Sequence, residues 1–232
     1  MGASTNGSLR GVLLDVDGTL IDSNDAHTRS WLETLAEFGY ARSYEQVRPL
    51  IGEGGDKLVR ELTGLDVQQG KGKQLTERRA ALFHEKYLPT LHAFSGAHDL
   101  VARLRAEGLR LVVATSAKEQ EMEALLEQAG LPELIDRSTS SDDAGRSKPD
   151  PDIVRAALHR GHLTADQAVM IGDTPYDIEA AGRAGIDAIV FRCGGWWSDD
   201  ALSGAVAIYD GPEALLRDLD RRILVRLPRR GT

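Results

Sequence analysis

Two aspartates one residue apart follow a short apolar run near the start of the chain, in the stretch LLDVDGTLID (13–22). Ionised carboxylates at this spacing repel each other, so their position at the edge of a predicted core needs a chemical reason. A surface turn, a calcium-binding loop and an active site can each bring such residues together. The residues that share their surroundings decide between these possibilities.

The elements that position these aspartates are strands that alternate with helical patterns. Strands are predicted for the apolar runs GVLLDVD (11–17), LRLVVATS (109–116), AVMIGD (168–173), DAIVFR (187–192) and AVAIYD (205–210). Helical spacing of apolar residues is found in residues 98–108, 118–130, 151–161 and 176–185. This alternation predicts a mostly parallel sheet with helices on both faces, whose ligands bind at the carboxyl ends of the strands.

The segment from Asn24 to about Ala93 interrupts the alternation, because it contains no convincing strand. Helical patterns at 27–39, 53–64 and 73–88 are separated there by glycine-rich breaks. We therefore predict an α/β fold with a Rossmann-like core over residues 1–24 and 94–232. A mostly helical insert, a second domain, is expected over residues 25–93.

Composition excludes several classes of protein. The formal net charge of −8 argues against nucleic acid as the main partner, and no apolar run reaches the roughly 18 residues that span a membrane. A single cysteine, Cys193, excludes an intrachain disulfide, and the stretch MGASTNGSLR (1–10) does not resemble a signal peptide. We predict a cytoplasmic protein without a membrane partner, with a frayed N-terminal arm and a solvated tail, LPRRGT (227–232).

Polar side chains follow three of the predicted strands, and a lysine lies in the loop before a helix. They are Asp15, Asp17, Thr115, Ser116, Asp173, Asp177 and Lys148. Four aspartates that converge at one edge of a sheet repel one another strongly unless a cation is present. A divalent ion and the lysine remove most of that penalty, and ligands that are all oxygens suit Mg²⁺. One aspartate alone would be a turn or helix-cap residue, but the set indicates a metal-dependent site.

Two other phosphate- or metal-binding motifs do not fit. An EF-hand fails because Gly18 directly follows Asp17 and no glutamate occupies the twelfth position of the loop. A P-loop fails because GEGGDKL (52–58) has the wrong spacing and places Leu58 where a hydroxyl should follow the lysine.

Four stretches, taken in order, resemble the motifs of the haloacid dehalogenase superfamily. They are DVDGTL (15–20), the hydroxyl of Thr115, Lys148 in SKPDPD (147–152) and GDTPYD (172–177). The resemblance covers nearly the whole chain, and the helical insert is similar to the cap that follows the first motif in this superfamily. The phosphoglycolate phosphatase and β-phosphoglucomutase-like group resembles the chain best.

The resemblance implies a role for each motif residue. Asp15 would be the nucleophile that becomes an aspartyl-phosphate, and Asp17 would protonate the leaving oxygen and then deprotonate the attacking water. Thr115 and Lys148 would hold the phosphoryl oxygens. An ionised carboxylate can attack a phosphate dianion only if their repulsion is screened, which a metal and Lys148 would do.

The resemblance also implies a Mg²⁺ site. Its ligands would be Asp15, Asp173 and the backbone carbonyl of Asp17, with Asp177 supporting either the metal or the catalytic lysine. Thr19 is expected to orient Asp17 through its hydroxyl or to serve as a turn residue.

Two related reactions are disfavoured. Dehalogenases of this superfamily lack the second aspartate, whose task is to protonate an oxygen leaving group, whereas this chain retains Asp17. Phosphonate cleavage would need a lysine of the cap as a Schiff base, and the sequence does not single one out among Lys57, Lys71 and Lys73.

The choice between a phosphatase and a sugar-phosphate mutase rests on the cap. His27 lies twelve residues after Asp15, much as in the mutases and in their phosphatase relatives. Gly55 stands about where those mutases carry an arginine that holds a second phosphate. Lys57 or Arg48 remains available as a substitute, so this absence weakens the mutase hypothesis without ending it.

Further residues are predicted to contact the substrate. The candidates for substrate binding are Thr19, His27, Gly54, Gly55 and Ser116. The turn GEGG (52–55) is expected to face the active site as a specificity loop. Arg192, Gly194, Trp196 and Trp197 are candidates for the mouth of the site, and Cys193 is interpreted as structural because it has no paired base.

These observations predict a Mg²⁺-dependent phosphatase that hydrolyses a small phosphorylated metabolite, phosphoglycolate-like or a sugar phosphate. The partner would be this small phosphate ester, and the protein would be a monomer or a weak homodimer. A β-phosphoglucomutase-like enzyme is the first alternative. A catalytically idle phosphate-binding or regulatory protein is the second.

Overall fold

A computed structural model describes residues 9–221, and the predictions for the N-terminal arm up to residue 8 and for the tail at 227–232 fall outside this range. Six strands form a single parallel sheet in the order β3-β2-β1-β4-β5-β6. They are β1 (Gly11–Leu14), β2 (Arg110–Ala114), β3 (Arg137–Thr139), β4 (Ala168–Gly172), β5 (Asp187–Phe191) and β6 (Ala207–Tyr209). This topology confirms the predicted Rossmann-like α/β fold class.

The described residues contain nine α-helices. They are α1 (Asn24–Glu37), α2 (Tyr44–Val47), α3 (Gly55–Thr63), α4 (Gly70–Leu82), α5 (Ala97–Ala106), α6 (Glu119–Gln128), α7 (Asp152–Arg160), α8 (Pro175–Ala184) and α9 (Pro212–Arg221). One π-helical turn, Phe83–Tyr87, extends α4. No helix in the described range is both long and apolar enough to cross a membrane.

The sheet buries both of its faces, because successive side chains of a strand point in opposite directions. Val12 and Leu14 of β1 pack in a cluster with α5, α6 and α9 on one face. Leu13 packs on the other face with α7 and α8. The near-continuous apolar runs of the central strands therefore reflect a sheet covered by helices on both sides.

Residues 25–93, which we call the cap segment, lie between the first two strands and contain helices α1 to α4 but no strand, with every residue of the stretch described. Trp31, Leu35, Leu58 and Leu75 belong to a hydrophobic cluster formed within this segment. The chain leaves and re-enters the sheet region through an antiparallel bridge between Ile21 and Ala93.

Three of these strands and helices were not predicted from the sequence, namely the short helix α2, the strand β3 and the helix α9. The strand β3 is three residues long, polar in composition and paired with β2 alone, so it lacks the apolar run by which the other strands were recognised. Helix α9 places Leu215 and Leu219 in the core at helical spacing. The apolar run at 205–210 predicted a longer strand than the structure has, because β6 contains only the three residues Ala207–Tyr209.

Candidate active site

The three central strands end at the same level, and their next residues form the floor of the site. Leu14 pairs with Val113 of β2 and with Ile171 of β4, and the amide of Asp15 donates to the Ile171 carbonyl at 2.9 Å. Asp15 and Asp173 therefore emerge side by side at the carboxyl edge of the sheet. We call this region the sheet edge, defined by Asp15, Asp17, Thr115, Lys148, Asp173 and Asp177.

Three buried carboxylates converge at the sheet edge. Asp15, Asp173 and Asp177 each offer an oxygen, and these oxygens lie within 4.8 Å of one another. Burial raises the pKa of Asp173 well above its usual value, and repulsion from Asp177 and Asp15 adds to the effect. Burial likewise raises the pKa of Asp15, although Lys148 opposes the shift. If all three carboxylates were ionised, they would carry more negative charge than Lys148 neutralises.

This donor set fits a divalent cation. All of its ligand atoms are oxygens, and hard cations such as Mg²⁺ and Ca²⁺ bind oxygen ligands. Gly18 and Gly194 enclose Asp173 closely, since a Cβ on either residue would lie 2.3 or 1.9 Å from Asp173 Oδ2. Asn24 donates to the same oxygen at 2.8 Å. The carboxylate is therefore held in one orientation, as a metal ligand needs to be.

Lys148 is the buried cation of the sheet edge and is 1% exposed. Its ammonium lies 2.5 Å from Asp15 Oδ1 and 2.7 Å from Asp177 Oδ1. Burial would lower the pKa of Lys148, but the two carboxylates outweigh burial and raise it above its usual value. The ammonium is consequently charged at neutral pH and is positioned beside the candidate nucleophile.

Asp177 is held by the start of α8. Its Oδ2 accepts from the amides of Asp173 and Thr174 at 3.2 and 3.0 Å and from the Thr174 hydroxyl at 2.7 Å. Its other oxygen faces Lys148. Both tasks predicted for Asp177, at the metal and at the lysine, are compatible with this position.

Asp17 turns away from the carboxylate cluster toward the cap segment. Its Oδ1 accepts from the Ser23 hydroxyl at 2.5 Å and lies 2.6 Å from His27 Nε2. Burial opposes ionisation, but His27, Ser23 and Arg79 together hold the pKa of Asp17 below its usual value. The ionised form of Asp17 is therefore the favoured one in this arrangement.

The hydrogen-bond partners of His27 indicate which of its ring nitrogens carries the hydrogen. Arg79 Nη2 contacts His27 Nδ1, and a guanidinium has donors only, so Nδ1 accepts and Nε2 carries the proton that points at Asp17. Arg79 is held in turn by Glu121 of α6, at 2.6 Å. The ring of Phe83 stacks on His27 with centroids 4.2 Å apart. These contacts form a buried chain that runs from the sheet edge through the cap segment to α6.

A cavity of about 1100 Å³ lies between the sheet edge and the cap segment. Most of the predicted site residues line it, namely Asp15, Asp17, His27, Gly54, Gly55, Thr115 and Ser116. The remaining ones, Thr19, Lys148, Asp173 and Asp177, are buried and lie outside its lining. The Ser116 hydroxyl is buried without a hydrogen-bond partner among the described residues, whereas the Thr115 hydroxyl accepts from the Ala117 amide at 3.1 Å.

Of the two roles expected for Thr19, the structure agrees with the turn position. Thr19 lies in the turn after Asp17, and its hydroxyl is 3.5 Å from Asp15 Oδ2 and 3.4 Å from Asp173 Oδ1. The two tryptophans do not line the cavity. Trp196 packs on Tyr44 and Arg48 of the cap segment, and Trp197 packs edge-on against Tyr176.

The other residues proposed for the mouth have different partners. Arg192 is exposed and pairs with Asp199 and Asp210, both at its own end of the sheet. Cys193 lies 3.5 Å from the Gly18 carbonyl, and burial, followed by the nearby Asp173, raises the pKa of its thiol to about 12. The thiol therefore stays protonated, which supports its interpretation as a structural residue.

The candidate cations of the cap segment are also placed. Lys71 lies over the ring of Tyr40, while Lys73 lines the cavity 3.7 Å from Glu77. Arg48 contacts the Gly194 carbonyl and is not among the residues that line the cavity. Lys57 is bound to the loop that carries Lys148 and does not line the cavity either.

Sequence reasoning missed several residues of the site. Ser23 and Asn24 stand in the same polar stretch as His27, and their nearness to Asp17 was a usable signal. Arg79 and Glu121 offered none, because each lies in an ordinary charged helix pattern and their contact joins residues 42 positions apart.

Comparison with known proteins adds to this geometry. The family model described as haloacid dehalogenase-like hydrolase matches residues 12–191. The chain belongs to this family. A relative named phosphoglycolate phosphatase, from Rhodospirillum rubrum, is 35% identical to this hydrolase in an alignment of 209 residues that covers 87% of this chain and 87% of the relative.

Solved structures of similar proteins cover almost the whole hydrolase. A hydrolase from Pseudomonas syringae has a TM-score of 0.84 and 27% identity, with 92% of this chain and 98% of that one covered. CbbY from Rhodobacter sphaeroides, in complex with phosphate, has a TM-score of 0.72 and 29% identity, with coverage of 91% and 99%. These matches confirm the predicted superfamily and the predicted enzyme class, a phosphoric monoester hydrolase.

Proposed function

We propose that this haloacid dehalogenase-like hydrolase is a Mg²⁺-dependent phosphatase acting on a small phosphorylated metabolite through an aspartyl-phosphate. One observation carries the proposal: Lys148 lies 2.5 Å from Asp15, and Asp15 lines a cavity that Asp17 also lines. The cavity thus offers a nucleophile, a cation beside it and a second carboxylate for proton transfer.

The first step is attack by Asp15 on phosphorus. The Asp15 oxygen forms a bond to the phosphoryl group while the bond to the leaving oxygen breaks, and Asp17 gives that oxygen a proton. Lys148 neutralises charge on the nucleophile and the phosphoryl group, and the hydroxyls of Thr115 and Ser116 donate to phosphoryl oxygens. When bound by Asp15, Asp173 and the Asp17 carbonyl, Mg²⁺ would screen the repulsion between the carboxylate and the dianion.

The second step is hydrolysis of the aspartyl-phosphate. Asp17, now ionised, takes a proton from a water molecule, which attacks phosphorus and releases Asp15 and inorganic phosphate. The hydrogen bond from His27 Nε2 favours this ionised form. A substrate dianion beside Asp17 favours the protonated form that the first step needs, so substrate charge and His27 act on Asp17 in opposite directions.

A phosphoglycolate-like acid or a sugar phosphate is the proposed substrate. The relative from R. rubrum is named for phosphoglycolate, and the CbbY structure holds phosphate. The cavity has room for a metabolite of this size. We further propose that the cap segment acts as a domain over residues 25–93 and that residues 1–24 and 94–232 form the catalytic core. Cytoplasmic location and a monomeric or weakly dimeric state stay predictions.

The mutase hypothesis has less support in this geometry. A mutase needs a cation to hold the distal phosphate, and Gly55 stands about where that arginine would be. Neither of the two substitutes considered, Arg48 and Lys57, lines the cavity. Other cations, among them Lys73, Lys118 and Arg146, do line the cavity, so the mutase hypothesis is kept as the alternative to be tested.

The proposal is tested with a generic aryl phosphate and a panel of sugar, nucleotide and carboxylic acid phosphates, with and without Mg²⁺. We expect hydrolysis that requires Mg²⁺ and a fall in kcat of more than about 10⁴-fold in Asp15→Asn, since loss of a nucleophile removes nearly all catalysis.

Four outcomes would contradict the proposal. Undiminished activity in Asp15→Asn, or after complete metal removal, would exclude the mechanism. Isomerisation of β-glucose 1-phosphate that depends on a bisphosphate primer would favour the mutase. Lack of turnover across the whole panel would favour an idle phosphate-binding protein.

A further inference from the structure

Lys57 of the cap segment binds the loop that carries the catalytic lysine. Its ammonium lies 2.7 Å from the Ser147 carbonyl, 3.0 Å from the Lys148 carbonyl and 2.8 Å from Asp150 Oδ2. An ammonium has three donors, and all three are used here within four consecutive residues. The Lys57 side chain is 29% exposed, so these bonds are partly shielded from water.

The two carbonyl contacts act on the backbone of Lys148 itself. The Ser147 and Lys148 carbonyls belong to the peptide groups on either side of the Lys148 α-carbon. An ammonium that binds both carbonyls restrains the direction in which the Lys148 side chain leaves the backbone. That side chain must reach a point between Asp15 and Asp177, where its ammonium has neighbours at 2.5 and 2.7 Å.

Neighbouring residues of the cap segment bind the same loop. Asp56 accepts from the Ser147 hydroxyl at 2.6 Å. Gly54 lies so close that a Cβ on it would be 2.3 Å from the Ser147 Cβ. The beginning of α3 and the turn before it therefore pack directly on the loop 147–150. Lys57 adds an ion pair to this packing, through Asp150.

We propose that Lys57 is a positioning residue that places the Lys148 ammonium when the cap segment docks on the core. The proposal rests on the proposed phosphatase function, because it assigns Lys57 a part in that reaction through Lys148. Lys57 does not act as a substrate ligand, since it does not line the cavity and its donors are already used. Docking of the cap segment and completion of the phosphoryl-binding site thereby become one event.

The test compares Lys57→Met with wild type, using two substrates of different leaving group, an aryl phosphate and phosphoglycolate. Loss of a charged hydrogen-bonding group of this kind is expected to lower kcat about 10- to 100-fold. The factor should be the same for both substrates, because they share the phosphoryl group that Lys148 binds, and KM should change less than kcat.

Three further variants separate positioning from general damage. Lys57→Arg keeps a cation with several donors and should recover most of the lost kcat. Asp150→Asn leaves both carbonyl contacts in place and should lower kcat less than Lys57→Met does. Lys86→Met is the matched control, because Lys86 pairs with Glu33 inside the cap segment at 2.7 Å and should leave kcat unchanged.

A measurement independent of turnover keeps this test separate from that of the proposed function. Amide hydrogen exchange of residues 146–150 should be faster in Lys57→Met than in wild type and in Lys86→Met. If wild type hydrolyses no phosphate but exchange changes as expected, the proposed function fails while the positioning contact stands. Unchanged exchange, a loss of kcat below twofold, or a loss that differs between the two substrates would each overturn the assignment of Lys57. If Lys57→Met does not fold, the same criteria apply to Lys57→Gln, which also removes the charge.

Discussion

The sheet edge and the cap segment hold their functional residues in different ways. Asp15 and Asp173 directly follow strands whose backbones are hydrogen-bonded to neighbours on both sides, so strand register sets their separation. Lys57 and Arg79 project from helices of the cap segment and reach the core through side-chain contacts with Asp150 and Glu121. The backbone of the sheet fixes the positions of the sheet-edge residues, whereas the position of the cap segment depends on a few ion pairs with the core.

This difference separates two kinds of sensitivity. A substitution at the sheet edge removes a reacting group without disturbing the strands, so it should abolish chemistry and spare the fold. A substitution in the cap segment leaves the reacting groups present but displaces the surface that encloses them. Its effects should be smaller and should depend on the geometry of packing.

After Asp15→Asn, the largest effect in this comparison is expected from Asp17→Asn. The amide cannot transfer the proton, and loss of positioned acid–base catalysis typically lowers kcat by about 10² to 10⁴-fold. The Asp17 carbonyl is unchanged, so the rise in Tm on adding Mg²⁺ should persist. Steady-state kinetics and thermal unfolding with and without Mg²⁺ check both expectations.

Asp22→Asn is the matched control for this prediction, because Asp22 is exposed and lies close to Asp17 in the chain. It should retain wild-type kcat. A kcat of Asp17→Asn within tenfold of wild type would remove Asp17 from the acid–base role.

A smaller effect is expected from Gly54→Ala, which disturbs the cap segment. Gly54 has φ +107°, and its new Cβ would meet Ser147 at 2.3 Å. Docking of the cap segment on the loop should be weakened, and kcat/KM should fall about tenfold, equivalent to roughly 1.4 kcal/mol.

Gly64→Ala provides the control for backbone strain alone. Gly64 also has a positive φ, +73°, but nothing lies within 4 Å of the added carbon. It should lose about 1 kcal/mol of stability and keep its activity. Equal losses of activity in the two variants would show that strain, and not docking, explains the result for Gly54.

A pH-dependent change in stability is expected at Glu53, which directly precedes Gly54. Glu53 Oε1 is buried without a hydrogen-bond partner in the described part of the chain, and burial, followed by repulsion from Glu61, raises the pKa of Glu53 to about 7. Because the folded protein binds this proton more tightly than the unfolded one, the stabilisation is complete below pH 4.5 and is lost as pH rises through about 7.

Glu53→Gln should therefore be more stable than wild type at pH 8, by about 1 to 2 kcal/mol, and equal to it near pH 4.5. Denaturant unfolding at both pH values measures this difference. Glu123→Gln, at an exposed site on α6, should show the same stability difference from wild type at both pH values. A wild type more stable than Glu53→Gln at pH 8 would contradict the assignment.

The sheet edge could be predicted from the sequence because its logic is local. Each of its carboxylates stands at or just beyond the end of an apolar run, and parallel strands bring such ends together. Lys148 was recognised by its motif, since it precedes a helix and follows no predicted strand. The sequence could not decide between the two roles expected for Thr19, because the direction of a hydroxyl in a tight turn depends on dihedral angles that residue types alone do not specify.

The contacts of the cap segment could not be predicted, because they join residues far apart in the chain. Lys57 meets Asp150 across 93 positions, and each residue alone has the pattern of a solvated charge. The strand β3 was not predicted for a related reason. Its residues are polar, and the strand forms through pairing with β2, which the local sequence does not indicate.

The paired crossing at Ile21 and Ala93 has a consequence for how this architecture can vary. The Phe94 amide donates to the Leu20 carbonyl at 3.0 Å, and the Asp22 amide donates to the His92 carbonyl at 3.0 Å, so the chain departs and returns at neighbouring points. The ends of the insert are already together, and the entropy of closing such a loop grows only slowly with its length. At these two positions, a longer, shorter or unrelated insert could therefore replace the cap segment without a change in the sheet.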